Sequence, residues 1–294
     1  MKHKLYKGDC LEVMKSIKDK SVDMILCDLP YGTTACKWDN IIPLNDYIVF
    51  KNKQYDYDEF ILYCIKKNIF KTIEEIKIYF NSNKQEGLWS YYNRMIKDNG
   101  AIVLFGSEPF SSYLRNSNIK KYKYDWYWIK EKGKGHLNAK KMPLKSIETI
   151  SVFYKMQTYY NPQKTKGEPY KRLNCSNNSL NKGVYGKTKD TFDTISTGER
   201  YPKTDLYFTS VQRTIHPTQK PVELLEYLIK TYSKENELIL DNCMGSNSTG
   251  IACLNTDRDY IGIEKDDKYF DICINRTNEY IEKNNIKCEI EVYK

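Results

Sequence analysis

Three short apolar runs in this 294-residue chain each stop at a carboxylate. Val22-Asp23-Met24-Ile25-Leu26-Cys27 stops at Asp28, Leu238-Ile239-Leu240 at Asp241, and Tyr260-Ile261-Gly262-Ile263 at Glu264. Brief apolar runs bounded by turn residues read as buried strands. Helix-period segments lie between them: Leu11, Met14 and Ile17 share one face, and Val222, Leu224-Leu225 and Leu228-Ile229 another, with Pro221 at the first turn. Alternation of this kind predicts an α/β fold with a doubly wound, mostly parallel, Rossmann-like sheet. In such sheets ligands sit at the carboxyl ends of the strands, where these acids fall.

Further strands are predicted at 101–105, 125–129 and 150–154, and further helices near 60–69, 73–80, 91–97 and 269–281, with Asn99-Gly100 capping the third. Residues 46–87 form a lysine- and aromatic-rich helical insert that either covers the cleft or makes a dimer surface. The division expected is 1–155, 156–213 and 214–294. In the middle segment periodicity is lost and aromatics alternate with basic residues. It reads as a loop-rich recognition region, although any one of its aromatics could equally pack a small core.

The charge is segregated. Net charge is +9, yet residues 114–220 hold 22 of the 47 basic residues and 8 of the 38 acidic ones, leaving the remainder acidic. A basic stretch of this size is the footprint of a polyanion-binding surface. Solubility charge in a lysine-rich proteome is the competing reading. The nine cysteines include no Cys-x-x-Cys pair, and there are three histidines. Reduced core cysteines, a cytoplasmic location and no metal are expected. No apolar run is long enough for a membrane span, and Met1–Asp9 carries no hydrophobic leader.

Asp28-Leu29-Pro30-Tyr31 places a carboxylate, a stiff turn and an aromatic ring at a strand end, followed by Gly32. Asp28 and the carbonyl of Leu29 are positioned to accept the two hydrogens of an exocyclic amino group, with Tyr31 offering an exposed ring for a base to stack on. An ordinary strand-to-loop turn is the alternative. After Leu240, the run Asp241-Asn242-Cys243-Met244-Gly245-Ser246-Asn247-Ser248-Thr249-Gly250 reads as a small-residue turn opening a helix near Gly250. Glu264 follows at the next strand end, where an acid holds a ribose diol. There is no phosphate-loop lysine, which disfavours a triphosphate.

Taken together, Gly8-Asp9-Cys10, the Asp28 turn, Gly100 to Phe110, the string His216-Pro217-Thr218-Gln219-Lys220-Pro221 and the Asp241 loop resemble the β-class of DNA amino-methyltransferases. The resemblance covers most of the chain apart from 46–87. It implies a circularly rearranged motif order, S-adenosylmethionine as cofactor, and methyl transfer to the amino group of a flipped base in double-stranded DNA. It assigns Asp28, Leu29, Pro30 and Tyr31 to catalysis. It places Asp9, Cys10, Asp28, His216, Thr218, Lys220, Asp241, Gly245, Ser246, Asn247 and Glu264 around the cofactor, with His216, Thr218 and Lys220 at its methionine end.

Where the family usually reads Asp-Pro-Phe-x-Gly-Ser-Gly, this chain has Asn242, Cys243 and Asn247, and Leu29 replaces a usual proline. An initial aspartate favours adenine N6, and cytosine N4 is the alternative. A catalytically inactive DNA-binding relative, or an enzyme acting on RNA or on a protein glutamine, are further rivals. Arg172, Arg200 and Arg213 are candidates for guanine contacts. A homodimer and a separate restriction endonuclease complete the partners the resemblance suggests.

Overall fold

The computed structural model describes residues 1–34, 36, 39–176, 191–212, 214–215 and 219–294. The chain opens with β1 (Lys2–Lys7), α1 (Cys10–Met14) and β2 (Val22–Cys27). A hairpin of β3 (Tyr47–Phe50) and β4 (Lys53–Asp56) leads into α2 (Tyr57–Lys66), α3 (Ile73–Asn83) and α4 (Leu88–Met95). Then come β5 (Ile96–Gly106), α5 (Phe110–Ser117), β6 (Tyr122–Lys134) and β7 (Lys145–Phe153). Four short strands follow: β8 (Thr165–Lys166), β9 (Tyr170–Ser176), β10 (Thr191–Ser196) and β11 (Glu199–Arg200). The last part holds β12 (Asp205–Tyr207), α6 (Val222–Tyr232), β13 (Leu238–Asp241), α7 (Ser248–Asn255), β14 (Asp259–Glu264), α8 (Asp267–Asn284) and β15 (Glu289–Tyr293).

Nine strands form one sheet in the order β12-β6-β7-β5-β2-β13-β14-β1-β15. Its pairings are parallel except those of β7, which runs antiparallel to both β5 and β6. The central position of β2 explains its continuous apolar run. Met24 and Leu26 face one core, roofed by Leu224, Leu225, Leu228 and Ile229 of α6. Ile25 and Cys27 face the other, against Met14 of α1, Leu88 and Tyr92 of α4, and Phe110 of α5. A strand buried on both faces needs apolar side chains on both.

Several elements differ from the sequence reading. Asn99-Gly100 does not cap a helix: the chain enters β5 at Ile96, which pairs with Val22. β1 was hidden because its lysines point outward while His3 and Leu5 are buried, a period-2 pattern with weak apolar content. The insert is a hairpin as well as two helices. Its own core joins Ile48, Tyr55, Phe60, Cys64, Ile76 and Phe80, and Asp56 and Glu59 form a capping box at the start of α2.

The described chain divides into two compact units, Met1–Asn161 with Thr204–Lys294, and Pro162–Lys203. The second is shorter at both ends than the loop-rich segment expected over 156–213. The backbone of Asn161 bonds to Thr231, and β12 joins the main sheet beside β6. Within the smaller unit β9 pairs with β10 and β8 with β11, both antiparallel. Among the described residues no helix is long and apolar enough to cross a membrane, and no cluster of metal-ligating side chains occurs.

Between β6 and α6, the buried Tyr232 oxygen accepts the indole N–H of Trp126 at 2.5 Å and lies 3.0 Å from the Tyr124 hydroxyl. Tyr232→Phe strands that N–H in the core. It should destabilise the fold by about 1–3 kcal/mol, measured as a lowered urea midpoint with an unchanged slope.

Candidate active site

β2, β13 and β14 lie side by side and deliver Asp28, Asp241 and Glu264 to one sheet edge. A cavity of about 580 Å³ opens there. Its walls come from 8–11 after β1, 26–31 at the end of β2, 39–43, 241–246 after β13 and 263–267 after β14. That volume suits one nucleoside-sized ligand.

At one end sits a chain of charges. The Lys220 ammonium pairs with Oδ2 of Asp28 and lies 3.0 Å from Oε1 of Glu148. The other Glu148 oxygen pairs with Lys130. The Tyr31 hydroxyl is 2.6 Å from Asp28 Oδ1 and 2.9 Å from Glu148 Oε1. Its one hydrogen serves one carboxylate at a time. Two acids and two ammonium groups balance, which is how charges survive burial. Aromatic rings wall the chain: Lys220 lies 5.0 Å from the Phe105 centroid and Lys130 4.4 Å from that of Trp128.

Burial raises the pKa of Asp28; Lys220 opposes this, and Glu148 adds to it. Burial acts upward on Glu148 as well, but there the two lysines win and hold its carboxyl down at about 2. Burial alone would neutralise Lys220, yet the two carboxylates raise its pKa and keep it charged.

One sequence expectation changes here. Tyr31 is half-buried rather than exposed: its ring stacks on Phe110 at 5.2 Å, and it lines the cavity. Lys220, placed by the resemblance at the methionine end, lines the cavity with its ammonium on Asp28. Leu29 is 3 % exposed and lines the cavity. Pro30 lines it too.

The other end is built from loops. Both Glu264 oxygens accept backbone N–H groups, from Gly245 at 2.9 Å and Asp266 at 2.8 Å. Burial raises the Glu264 pKa, against the pull of those N–H groups. Asp241 accepts the Cys243 N–H at 3.1 Å, and burial pushes its carboxyl up to about 6. Asp9 caps α1 through the Leu11 N–H at 3.0 Å and receives Lys265 at 2.9 Å. Cys10 lines the cavity as a neutral thiol; its hydrogen bond with Cys243 and its burial hold its pKa well above the usual value.

Gly245 and Ser246 line the cavity, and Gly245 has φ +52°. Asn247 does not reach it. This residue is fully buried at φ +60°, and its amide donates to Thr277 Oγ1 at 2.7 Å. Arg276, also from α8, donates to the Ser246 carbonyl at 2.6 Å and to Ser248 Oγ at 3.1 Å. Asn247 is thus tied into the fold of the loop. His216 and Thr218 lie outside the described residues, as does Arg213.

In the smaller unit, the Arg172 and Arg200 guanidinium groups both lie over the Tyr170 ring, at 5.3 and 5.1 Å. Arg200 also donates to Ser196 Oγ at 2.6 Å and to the Glu168 carbonyl, so it braces its own unit. Arg172 is exposed.

Glu148 and Lys130 were not singled out from sequence. A signal existed: Glu148 shares the parity of the buried Ile150 and Val152 on β7, and Lys130 that of Trp126 and Trp128 on β6. Charged residues at inward positions of a strand demand partners. Asp39 was missed too. Its carboxylate accepts the N–H groups of Gly32, Thr33 and Thr34 at 2.9, 2.9 and 2.7 Å and so folds the chain after the Asp28 turn.

Comparison with known proteins bears on this geometry. Residues 22–275 match the family model described as DNA methylase (N6_N4_Mtase). The type II methyltransferase M2.MboI of Moraxella bovis is 28% identical over 296 residues, covering 97% of this chain and 92% of that protein. The type II methyltransferase M.HindIII of Haemophilus influenzae is 24% identical, with 96% of each chain covered. The crystal structure of the M1.HpyAVI–SAM complex shares the fold, with a TM-score of 0.54 and 23% identity over 93% of this chain and 99% of that one.

The raised Asp241 carboxyl stabilises the fold at low pH, and that contribution is lost as pH rises through about 6. Asp241→Asn cannot ionise. Its stability relative to wild type should climb between about pH 4 and 6 and level off above, by about 3 kcal/mol at most. Urea midpoints across that range check the sign.

Proposed function

The chain belongs to the DNA methylase family and is an S-adenosylmethionine-dependent amino-methyltransferase of the N6/N4 type, and from that premise we propose that it methylates adenine N6 in double-stranded DNA. The observation that carries this reading is the Asp28 carboxylate at the cavity wall, beside Leu29 and below Tyr31. Among related enzymes a motif that begins with aspartate goes mostly with adenine, and one that begins with serine mostly with cytosine.

The cofactor, when bound, supplies an electrophilic methyl group. Glu264 would hold its ribose, and Asp9 and the Asp241–Ser246 loop would line its remaining length. The protein's task is to make an exocyclic amine nucleophilic, since its lone pair is delocalised into the ring. Asp28 and the Leu29 carbonyl would accept the two amino hydrogens and draw the nitrogen toward tetrahedral geometry. Negative charge on Asp28 favours the positive nitrogen that develops, a preorganised electrostatic effect. The excess proton leaves toward Asp28 or solvent once the bond has formed. Holding the amine in line supplies much of the rest of the acceleration.

Flipping the base costs a few kcal/mol. The basic stretch 114–220 would offset this through phosphate contacts. Arg172, exposed on the smaller unit, and Arg213 are the arginines assigned to guanine edges, with Arg200 in a supporting role. The modification role in a type II restriction pair, with the endonuclease on a separate chain, fits the relatives.

Incubation with duplex DNA and cofactor, followed by nucleoside mass spectrometry, should yield N6-methyladenine. N4-methylcytosine in its place defeats the choice of base, and no methylated nucleoside defeats the reading. Asp28→Ala should lower the single-turnover rate by at least about 100-fold and leave cofactor affinity within a few-fold, as measured by calorimetry.

A further inference from the structure

We propose that Glu148 is a positioning residue for methyl transfer, holding Lys220 and Tyr31 so that both grip the Asp28 carboxylate. This inference rests on the functional reading above and assigns the residue that keeps its acceptor in place. Glu148 enters from β7, two strands away from β2 across β5. It does not line the described cavity, so its influence passes through the two side chains it contacts. One oxygen, Oε1, meets both Lys220 and Tyr31, at 3.0 and 2.9 Å. The other is anchored by Lys130.

Geometry gives Glu148 this work. A lysine side chain has four rotatable carbons and would wander if Asp28 were its sole anion. With Glu148 on one side and Asp28 on the other, the ammonium is fixed between β7 and the turn after β2. The phenol of Tyr31 is likewise pinned between the same two carboxylates, and that also sets the plane of the ring on which a base would stack. Both Asp28 oxygens then have one lone pair engaged and one available.

Charge gives the inference its signature. Asp28 is faced by Lys220 from the segment before α6, by Tyr31 of its own turn, by Glu148 of β7, and by Cys27 and Asp241 at the ends of β2 and β13. Lys130 and Lys134 of β6 stand close to Glu148. Within this set Glu148 repels the charge on Asp28 and Lys220 attracts it, so their removal must move the Asp28 titration in opposite directions.

The test is the single-turnover methylation rate of the full-length protein on duplex DNA between about pH 5 and 9. Glu148→Gln should lower the plateau rate about 10- to 100-fold and move the acid limb to lower pH. Lys220→Met should move that limb to higher pH. Affinity for S-adenosylhomocysteine and for the duplex should stay within about threefold of wild type in Glu148→Gln, since it touches neither ligand. A wild-type rate in Glu148→Gln overturns the proposal. So does a slower rate with an unmoved acid limb, which would make Glu148 a scaffold residue alone. If Glu148→Gln does not fold, Glu148→Asp carries the test: it keeps the charge but withdraws the carboxylate by one methylene, and it must slow the rate about 10-fold. A wild-type protein that methylates no DNA sinks the functional reading, and this inference with it; an active wild type with an indifferent Glu148→Gln sinks this inference alone.

Discussion

A single ammonium group, that of Lys220, ties the reactive end of this molecule together. It is buried between Asp28 in the turn after β2 and Glu148 on β7, and Lys130 closes the chain from β6. None of these charges could be buried alone. Loss of one partner from such a set typically costs about 3–5 kcal/mol, because it leaves an uncompensated charge in a poorly polarisable interior. Three strands and the segment before α6 therefore share one electrostatic constraint. The rings of Phe105 and Trp128 lie against the two ammonium groups and Phe110 stacks on Tyr31, and apolar surroundings strengthen each pairing. The same arrangement keeps the Asp28 turn rigid while leaving it on the cavity wall.

At the opposite end, rigidity comes from backbone hydrogen bonds. The loop after β13 takes two left-handed residues, Gly245 and Asn247. Glycine adopts this conformation without cost, whereas asparagine needs support. Support is present: Thr277 holds the Asn247 amide, Arg276 holds the Ser246 carbonyl, and Glu264 holds the Gly245 N–H. Asn242, another departure from the usual loop, accepts the buried Tyr92 hydroxyl from α4. Gly250 completes the fit, because a Cβ there would meet Asn247 Oδ1 at 2.3 Å. The unusual loop sequence is matched residue by residue by its neighbours.

Much of the sheet was legible in the chain. β2, β13 and β14 are apolar on both faces, so their runs announce themselves without reference to any partner. The two edge strands, β12 and β15, were not legible, and neither was β1 beside β15. β1 and β15 alternate charged residues with few apolar ones, and β12 spans only Asp205–Tyr207. Such segments become strands because a neighbour offers unpaired backbone groups, as β14 does for β1 and β6 does for β12. α5 was missed for a similar reason: its burial rests on Phe110, Ser111 and Leu114, too few to mark a period.

The sequence by itself determined which residues end the central strands and hence which acids and which aromatic turn gather at one sheet edge. Strand parity and the order of short apolar runs carry that information locally, so it can be read without a fold. Only the tertiary structure decided what those groups do to one another. That Lys220 sits on Asp28, that Glu148 and Lys130 extend the pairing, and that Asn247 turns inward to Thr277 all depend on contacts between residues 18 to 192 positions apart in the chain. Charge compensation in a low-dielectric interior is a property of such juxtapositions, and no local pattern encodes it.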